Sequence, residues 1–309
     1  MIYENILEAA GNTPLIRLQH MTGKDDAQIL VKFEAVNVGA SIKTRTALGV
    51  IEAAEKEGKI TKDTVIVEPT SGNQGIGLAL IGAVKGYRTI IIMPDSVSEE
   101  RRKLVRQYGA EVRLIHDAGN IGDCIQECLN TAIRMAEDNP NVFVPQQFEN
   151  ENNVRVHYEW TGREILSQAD CTIDGFCSGI GTGGTITGIG KALKEANPDT
   201  IIWAVEPEHA AILSGKEVGT HVQMGIGDGL IPGILDQEIY DDITIVTDEE
   251  ALQTARELAA KEGLMCGISS GTNVAAARRM AAQLGKGKTV VTILPDTAER
   301  YFSTPLFEA

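Results

Sequence analysis

Basic charge is scarce in this sequence. Its 309 residues carry 28 Lys and Arg against 43 Asp and Glu, which gives a formal net charge of −15. Nucleic acids and anionic membrane surfaces are bound through clustered basic side chains, so this balance argues against both. We therefore expect neither a nucleic-acid partner nor a membrane partner.

Long apolar runs are missing as well. The longest, residues 64–67 and 89–93, have the length of a β-strand and fall far short of the roughly 20 residues that a membrane span needs. The N-terminal segment contains acidic side chains and no long apolar stretch, unlike a secretory signal. These absences predict a cytoplasmic protein.

Cysteine motifs and metal-ligand motifs are also absent. The five cysteines, Cys124, Cys128, Cys171, Cys177 and Cys266, are odd in number and include no CxxC pair. Cys124 and Cys128 lie four residues apart on a predicted helix without a histidine at ligand spacing, and no HExxH occurs. We expect all five thiols to be structural and no dedicated metal site.

Short apolar runs alternate with amphipathic helical stretches from about residue 45 onward. This alternation predicts βαβ units and mainly parallel sheets, and the nearly all-apolar strands indicate sheets that are covered on both faces. At about 150 residues per domain the length suggests two domains, which we place at residues 1–148 and 149–309. Predicted strands are 64–68, 88–93, 111–115, 173–177, 201–205, 243–246 and 289–294, and predicted helices are 75–85, 98–108, 185–196, 248–262 and 272–284.

Three glycine-rich segments carry the candidate chemistry. In residues 37–45, Lys43 falls in the first turn of a helix, where the helix dipole disfavours a cation. A lysine there suggests an imine or an anion-binding role, although it could also be an ordinary surface lysine. Residues 68–76 place backbone N–H groups, hydroxyls and an amide at a helix N-terminus, which suits a carboxylate or phosphate but also a plain N-cap turn.

The third segment, residues 179–185, follows a predicted strand and opens a helix. Its glycines and two threonines suit a terminal phosphate. Gly179, Gly181 and Gly184 also fit the GxGxxG pattern, and Glu206 follows about twenty residues later. An NAD(P)-dependent oxidoreductase is therefore an alternative, and a cofactor-free binding module is another.

The three segments, in this order, resemble the cysteine synthase (O-acetylserine sulfhydrylase) family of fold type II pyridoxal-phosphate enzymes. The resemblance covers essentially the whole chain. It implies an α/β fold of two domains, each a mainly parallel twisted sheet flanked by helices, and it implies a homodimer without an appended regulatory module. Further segments that carry it are residues 11–15, 145–148, 225–227, 267–271 and 293–301.

The resemblance also implies a site for pyridoxal 5'-phosphate. Lys43 would hold the cofactor as a Schiff base and move the α-proton, Asn73 would bond the ring hydroxyl oxygen, and Ser269 would meet the pyridine nitrogen. Residues that would cradle the phosphate are Gly181, Thr182, Gly183, Gly184 and Thr185. Residues that would bind the substrate, chiefly its α-carboxylate, are Thr70, Ser71, Gly72, Asn73, Gln74 and Gln147. The first domain, with Lys43 and the substrate loop, would be the mobile part.

The implied reaction is β-replacement on an amino acid through an aminoacrylate. Two residues depart from the family pattern: Gln74 stands where threonine is usual, and Asp228 stands where a small uncharged residue, commonly alanine, is usual. A carboxylate beside Cβ can act as a base toward water and repels HS⁻. We therefore expect conversion of L-cysteine and water to L-serine and hydrogen sulfide, with Asp228 as a second catalytic residue. The alternative is that Asp228 points to solvent and the enzyme makes L-cysteine and acetate from O-acetyl-L-serine and sulfide.

Overall fold

The chain forms two helix-flanked sheets in a computed structural model that describes residues 2–70, 72–119 and 121–308. The larger sheet has the strand order β1-β2-β10-β7-β8-β9 and the smaller one β5-β4-β3-β6. Neighbouring strands are parallel except for the β1–β2 pair. The strands are β1 Leu15–Arg17, β2 Gln28–Phe33, β3 Val65–Pro69, β4 Arg88–Pro94, β5 Glu111–Ile115, β6 Val142–Phe143, β7 Gly175–Gly179, β8 Ile201–Pro207, β9 Asp242–Val246 and β10 Thr289–Leu294.

Helices connect the parallel strands and cover the sheets. Helices α1, α2 and α3 pack in series beside the smaller sheet, and α4 packs on β3 and β4. No helix in the described ranges is long and apolar enough to cross a membrane. The helices are α1 Lys43–Lys56, α2 Asn73–Lys85, α3 Glu99–Gln107, α4 Ile121–Asp138, α5 Glu151–Val156, α6 Arg163–Gln168, α7 Gly184–Ala196, α8 Asp248–Glu257 and α9 Ile268–Leu284.

The predicted alternation of strands and helices is confirmed. Each predicted strand is present, with ends displaced by at most two residues, and every residue of β10 is buried. The predicted helix 248–262 is α8 followed by a π-helical turn, Leu258–Glu262. The predicted helix 272–284 begins earlier, at Ile268, so that α9 includes Ser269 in its first turn.

The first two strands were not predicted, and they belong to the larger sheet. Strand β2 pairs in parallel with β10, at the other end of the chain, and β1 lies on the outer side of β2. The smaller sheet contains only strands between residues 65 and 143 among the described residues. The last strand of the smaller sheet ends at Phe143, and β1 and β2, which precede that sheet's strands in the chain, belong to the larger sheet, where β2 pairs with β10 of the second half.

A buried ion network anchors the start of α1. Arg45 donates bidentate hydrogen bonds to Glu34 and to Glu164, at 2.7–3.0 Å. Lys32 Nζ lies 2.7 Å from the same Glu164 carboxylate. Arg45, Glu34 and Lys32 are completely buried. Pairing of this kind is what makes buried charges tolerable, and it links α1 to β2 and α6 two residues beyond Lys43.

Candidate functional site

Lys43 lies in a cleft at the carboxyl ends of strands from both sheets. This edge is where ligands bind in parallel α/β proteins. Lys43 is the first residue of α1, as predicted, and its side chain is partly buried. Burial lowers the pKa of its amine to about 8, while the negative charge of Asp228 raises it. About half of an amine with this pKa is neutral at pH 8, and the neutral form is the one that forms imines and accepts protons.

The glycine turn between β7 and α7 forms one wall of the cleft. Gly183 is the N-cap of α7, with a φ of +80°, and it has no side chain to cap the first N–H groups of this helix. A Cβ at Gly181 would lie 2.4 Å from the carbonyl oxygen of Gly225, so only glycine fits there. Thr182 and Thr185 line the same wall. An uncapped helix N-terminus with two hydroxyls fits the phosphate of pyridoxal phosphate.

Buried side chains behind this turn hold its threonines. Asn153 donates from Nδ2 to Thr182 Oγ1 at 2.9 Å, and His157 Nε2 lies 3.5 Å from Thr185 Oγ1. Both are completely buried. Burial, with the nearby charges of Lys43 and Arg45, lowers the pKa of His157 well below its usual range, so this imidazole is neutral. Sequence reasoning missed both residues because neither lies in a glycine-rich segment.

Asn73 and Ser269, the two residues expected to contact the cofactor ring, both line the cleft. Ser269 is buried in the first turn of α9 and lines the cleft. Asn73 begins α2, donates to Asp296 Oδ2 at 2.7 Å and accepts from Arg300. The same Asp296 oxygen accepts a 2.7 Å bond from Tyr301. The orientation of the Asn73 amide is thus set by Asp296 and Arg300, which follow β10.

The predicted substrate loop lies at the end of β3. Thr70 Oγ1 accepts the N–H of Gly72 at 3.1 Å, and Gln147 lines the cleft near Thr70. Ser71 lies outside the described residues. Gln74 is buried and lines the cleft, yet among the described residues neither its amide oxygen nor its amide nitrogen has a hydrogen-bond partner. A buried amide without partners is costly, so Gln74 is suited to bind a group that enters the cleft.

Asp228 lines the cleft together with Lys43. Its loop alternates glycines with φ of +94°, +66° and +77° at Gly225, Gly227 and Gly229. Burial raises the pKa of the Asp228 carboxyl, while the charges of Lys43, His221 and Arg101 lower it. A Cβ on Gly181 would lie 3.8 Å from Asp228 Oδ2, so the carboxylate lies beside the turn at residues 181–185, and its charge acts on the Lys43 amine.

Arg101 is a cleft residue that sequence reasoning missed. Its guanidinium, carried by α3, donates to Tyr301 Oη at 2.8 Å and to Met224 Sδ at 3.0 Å, and it lies over the Tyr301 ring. A Cβ on Gly72 would lie 2.3 Å from Arg101 Cδ, so Gly72 is needed where the substrate loop passes this side chain. In the sequence, Arg101 lies among other charged residues of a predicted helix, and such charged faces are ordinarily exposed to solvent.

Four of the five cysteines are buried, and Cys171 is exposed. Cys124 and Cys128 lie on α4, as predicted, and Cys128 lines the cleft. Burial, together with the nearby Cys124, raises the pKa of the Cys128 thiol to about 12. The thiol is therefore protonated and unreactive near neutral pH, in keeping with a structural role.

The contacts of Glu206 do not favour the alternative function of an NAD(P)-dependent oxidoreductase. The carboxylate of Glu206, which would have to bind a ribose, accepts the N–H groups of Leu213 at 2.8 Å and Ser214 at 3.1 Å. It is buried under its own loop. Nothing in this arrangement favours a dinucleotide.

Comparisons with known proteins show the family of the chain. A family profile described as "Pyridoxal-phosphate dependent enzyme" matches residues 6–296. A cysteine synthase of Staphylococcus aureus is 47% identical over 305 residues, covering 98% of this chain and 97% of the relative. A solved O-ureido-L-serine synthase superposes with a TM-score of 0.95 at 40% identity, covering 100% of this chain and 96% of that one. A hydrogen sulfide-producing enzyme of Fusobacterium nucleatum superposes with a TM-score of 0.91 at 41% identity, covering 97% and 100%.

Proposed function

Because the chain belongs to the cysteine synthase family of pyridoxal-phosphate dependent enzymes, we propose that it converts L-cysteine and water into L-serine and hydrogen sulfide. The observation that carries the proposal is the Asp228 carboxylate in the cleft, within electrostatic reach of Lys43. Burial raises the pKa of Asp228 and makes the ionised carboxylate a stronger base than an exposed aspartate.

Each half of the proposed reaction uses groups of this chain. The bound pyridoxal phosphate supplies an electron sink for the pair left at Cα. Lys43 takes the α-proton and returns it, which its lowered pKa favours. In the first half the Cβ–S bond breaks and sulfide leaves. In the second, Asp228 takes a proton from water as the oxygen bonds to Cβ, and L-serine results. Asp228 then releases this proton, which balances the HS⁻ that left and regenerates the carboxylate.

The charge of Asp228 also bears on which nucleophile is accepted. An ionised carboxylate beside Cβ repels HS⁻, whereas neutral water is not repelled and can donate to it. The unpartnered amide of Gln74 offers a donor and an acceptor in the same cleft, and water can satisfy both. Both features favour water over sulfide in the second half.

Positioning of the cofactor and the amino acid falls to the surrounding loops. We place the cofactor's phosphate on the turn at residues 181–185 and its ring between Asn73 and Ser269. We place the substrate carboxylate on the loop at residues 70–74, beside Gln147. The free helix N-terminus of α7 and the donor groups at the start of α2 support these assignments.

Similar proteins support both this function and its alternative. The relative from Fusobacterium nucleatum is named for hydrogen sulfide production, whereas the Staphylococcus aureus relative is named cysteine synthase. The alternative for this chain is synthesis of L-cysteine and acetate from O-acetyl-L-serine and sulfide. The position of Asp228 in the cleft is the reason for preferring water as the nucleophile.

Product analysis tests the proposal. The purified holoenzyme is given L-cysteine alone, and separately O-acetyl-L-serine with sulfide, and L-serine, sulfide and L-cysteine are quantified over time. We expect the first mixture to yield equal amounts of L-serine and sulfide at the higher kcat/KM. A higher kcat/KM for L-cysteine formation would reject the proposal in favour of the alternative.

We also propose that the protein is a homodimer. The support is the family membership, since the resemblance implies a paired subunit. Light scattering of the holoenzyme should give a mass near 66 kDa, about twice the 33.2 kDa of one chain. A mass of one chain across a tenfold range of protein concentration would contradict it.

A further inference from the structure

A buried carboxylate outside the cleft joins the two segments assigned to the substrate carboxylate. We infer that Glu68 is a positioning residue: it holds the backbone of Gln147 beside the loop that begins at Thr70, and so shapes the site for an amino acid's α-carboxylate. The inference rests on the proposed substrate class, an α-amino acid, and on no particular nucleophile.

The contacts of Glu68 are made with one short stretch of backbone. Glu68 is fully buried on β3, two residues before Thr70. Its Oε2 accepts the N–H of Gln146 at 3.0 Å, and its Oε1 accepts the N–H of Gln147 at 3.1 Å. Each carboxylate oxygen therefore serves one of two successive amides. The side chain that reaches the cleft is that of Gln147, not that of Glu68.

The stretch that Glu68 holds has a backbone that needs support. Gln146 has a φ of +55°, which is uncommon for a residue with a side chain. Residues 145–148 lie between β6 and α5, so no sheet ladder or helix fixes them. A strained turn persists only where its surroundings determine it, and the two amides of this turn point at Glu68.

The other side of Gln147 is held by Asn153. Asn153 Nδ2 donates to the Gln147 carbonyl oxygen and to Thr182 Oγ1, both at 2.9 Å. Gln147 is thus bonded through its N–H to Glu68 on the strand before Thr70, and its carbonyl is linked through Asn153 to Thr182 in the turn at residues 181–185. Loss of the Glu68 contacts frees one of the two backbone bonds that set where the Gln147 side chain lies.

The chemistry of the two amides explains why the residue is an acid. Two N–H donors are satisfied together by a carboxylate, which has two accepting oxygens. A glutamine of the same shape offers one oxygen, and its NH₂ group would face the second N–H. The bonds from Gln147 and Gln146 favour the ionised form of Glu68, but burial outweighs them and raises the pKa of the carboxyl to about 8. The variants are therefore compared above about pH 8, where Glu68 is ionised and both of its oxygens accept.

The test compares Glu68→Gln with a matched variant in the holoenzyme. Glu206 is also buried and also accepts two successive backbone N–H groups, from Leu213 and Ser214, in a loop of the larger sheet. We expect Glu68→Gln to raise KM for the amino-acid substrate about tenfold, the effect of losing roughly one charge-assisted bond, with kcat changed less than threefold. Glu206→Gln is expected to leave KM within twofold of the parent.

A second measurement separates positioning from general damage. Bound cofactor changes its absorbance when an amine enters the site, so titration gives an affinity for L-alanine and for ethylamine, which lacks the carboxylate. Glu68→Gln is expected to weaken L-alanine about tenfold and ethylamine less than twofold. Glu68→Asp, which keeps the charge, is expected to recover part of the affinity for L-alanine.

The outcomes distinguish this inference from the proposed function. L-alanine has no leaving group, so the affinity ratio does not depend on whether sulfide leaves or water adds. Equal weakening of L-alanine and ethylamine, or a KM change no larger than in Glu206→Gln, would overturn the role of Glu68. Should Glu68→Gln fail to retain cofactor, the ratio is read from Glu68→Asp, and an unchanged ratio there overturns it too. If the parent enzyme forms no L-serine, but Glu68→Gln still changes the ratio of the L-alanine and ethylamine affinities, only the proposed reaction is overturned.

Discussion

The Lys43 amine and the Asp228 carboxylate line one cleft, and each shifts the pKa of the other toward its charged form. Burial acts against both charges: it lowers the pKa of Lys43 to about 8 and raises that of Asp228. The lysine comes from the start of α1 and the aspartate from a glycine-rich loop more than 180 residues later. Neither group would have this character alone in water, because desolvation is what brings the two proton affinities toward each other.

The pH dependence of cofactor attachment follows from the Lys43 pKa. Only a neutral amine attacks the aldehyde of pyridoxal phosphate, so the attachment rate to cofactor-free protein should rise with pH and reach half its maximum at about 8. Because the charge of Asp228 raises the Lys43 pKa, Asp228→Asn should move this midpoint to lower pH. The rate is followed by borohydride trapping between pH 6 and pH 10. A midpoint above pH 10 would show an ordinary, solvated lysine.

Removal of the Asp228 carboxylate should separate the two halves of the reaction. With Asp228→Asn and L-cysteine, about one equivalent of sulfide per active site should appear in a burst, while steady-state L-serine formation falls by at least about 100-fold, the usual contribution of a general base. Rapid-quench product analysis gives both quantities. Asp236→Asn is the control, since Asp236 pairs with Lys191 at 3.4 Å outside the cleft. Undiminished L-serine output in Asp228→Asn would remove the carboxylate from the mechanism.

The glycine turn should tolerate no side chain at Gly181. Gly181→Ala places a methyl group 2.4 Å from the Gly225 carbonyl oxygen, which displaces the loop that carries Asp228. We expect the Kd for pyridoxal phosphate to rise at least about tenfold, as measured by dialysis and fluorescence. Gly219→Ala is the control, because its added methyl group lies 3.5 Å from its nearest neighbour, an ordinary contact. Similar cofactor affinity in the two variants would contradict the assignment of the turn.

The ion network under α1 should make stability depend on pH in acid. Burial opposes ionisation of Glu164, but bonds and charges from Arg45 and Lys32 lower its pKa to about 2. Its contribution is therefore fully present above the ordinary value of 4.5 and is lost as pH falls toward 2. Glu164→Gln should reduce the free energy of unfolding by about 3 kcal/mol at pH 7 and flatten its decline between pH 4.5 and pH 2.

Chemical denaturation at several pH values measures this effect. Glu57→Gln is the control, because Glu57 makes an exposed ion pair with Lys59. Exposed pairs contribute little to stability, so this variant should unfold at the parent's denaturant concentration. Equal unfolding midpoints for Glu164→Gln and Glu57→Gln at pH 7 would contradict the role of the network.

Local pattern was sufficient for most of the fold. Apolar runs between amphipathic helices identified the parallel strands, since a strand covered on both faces is apolar throughout. Strand β2 was not predicted, because its partner β10 lies about 260 residues away in the sequence and because β2 precedes the region where helices and strands alternate. Pairing over such a distance is decided by tertiary packing and leaves no local signal.

Part of the cleft lining was predictable from glycine-rich turns at helix starts, which are typical of anion sites. Lys43 and Thr182, both singled out on that basis, line the same cleft. Residues that act through other side chains were not predictable. Asn153, Asp296 and Arg101 lie in a helix start, a strand end and a charged helix face, and their function appears only when the elements are brought together.

The two bonds of Asn153 have a thermodynamic consequence. The Asn153 side chain bonds both the Gln147 carbonyl and the Thr182 hydroxyl. It therefore connects the end of the cleft proposed for the substrate carboxylate with the end proposed for the phosphate. Whatever orders one end reduces the entropy still to be lost at the other, and reciprocity requires the same gain in the opposite direction. Pyridoxal, which lacks the phosphate, should therefore lower the affinity of the site for the amino acid, even though the phosphate would lie at the opposite end of the cleft.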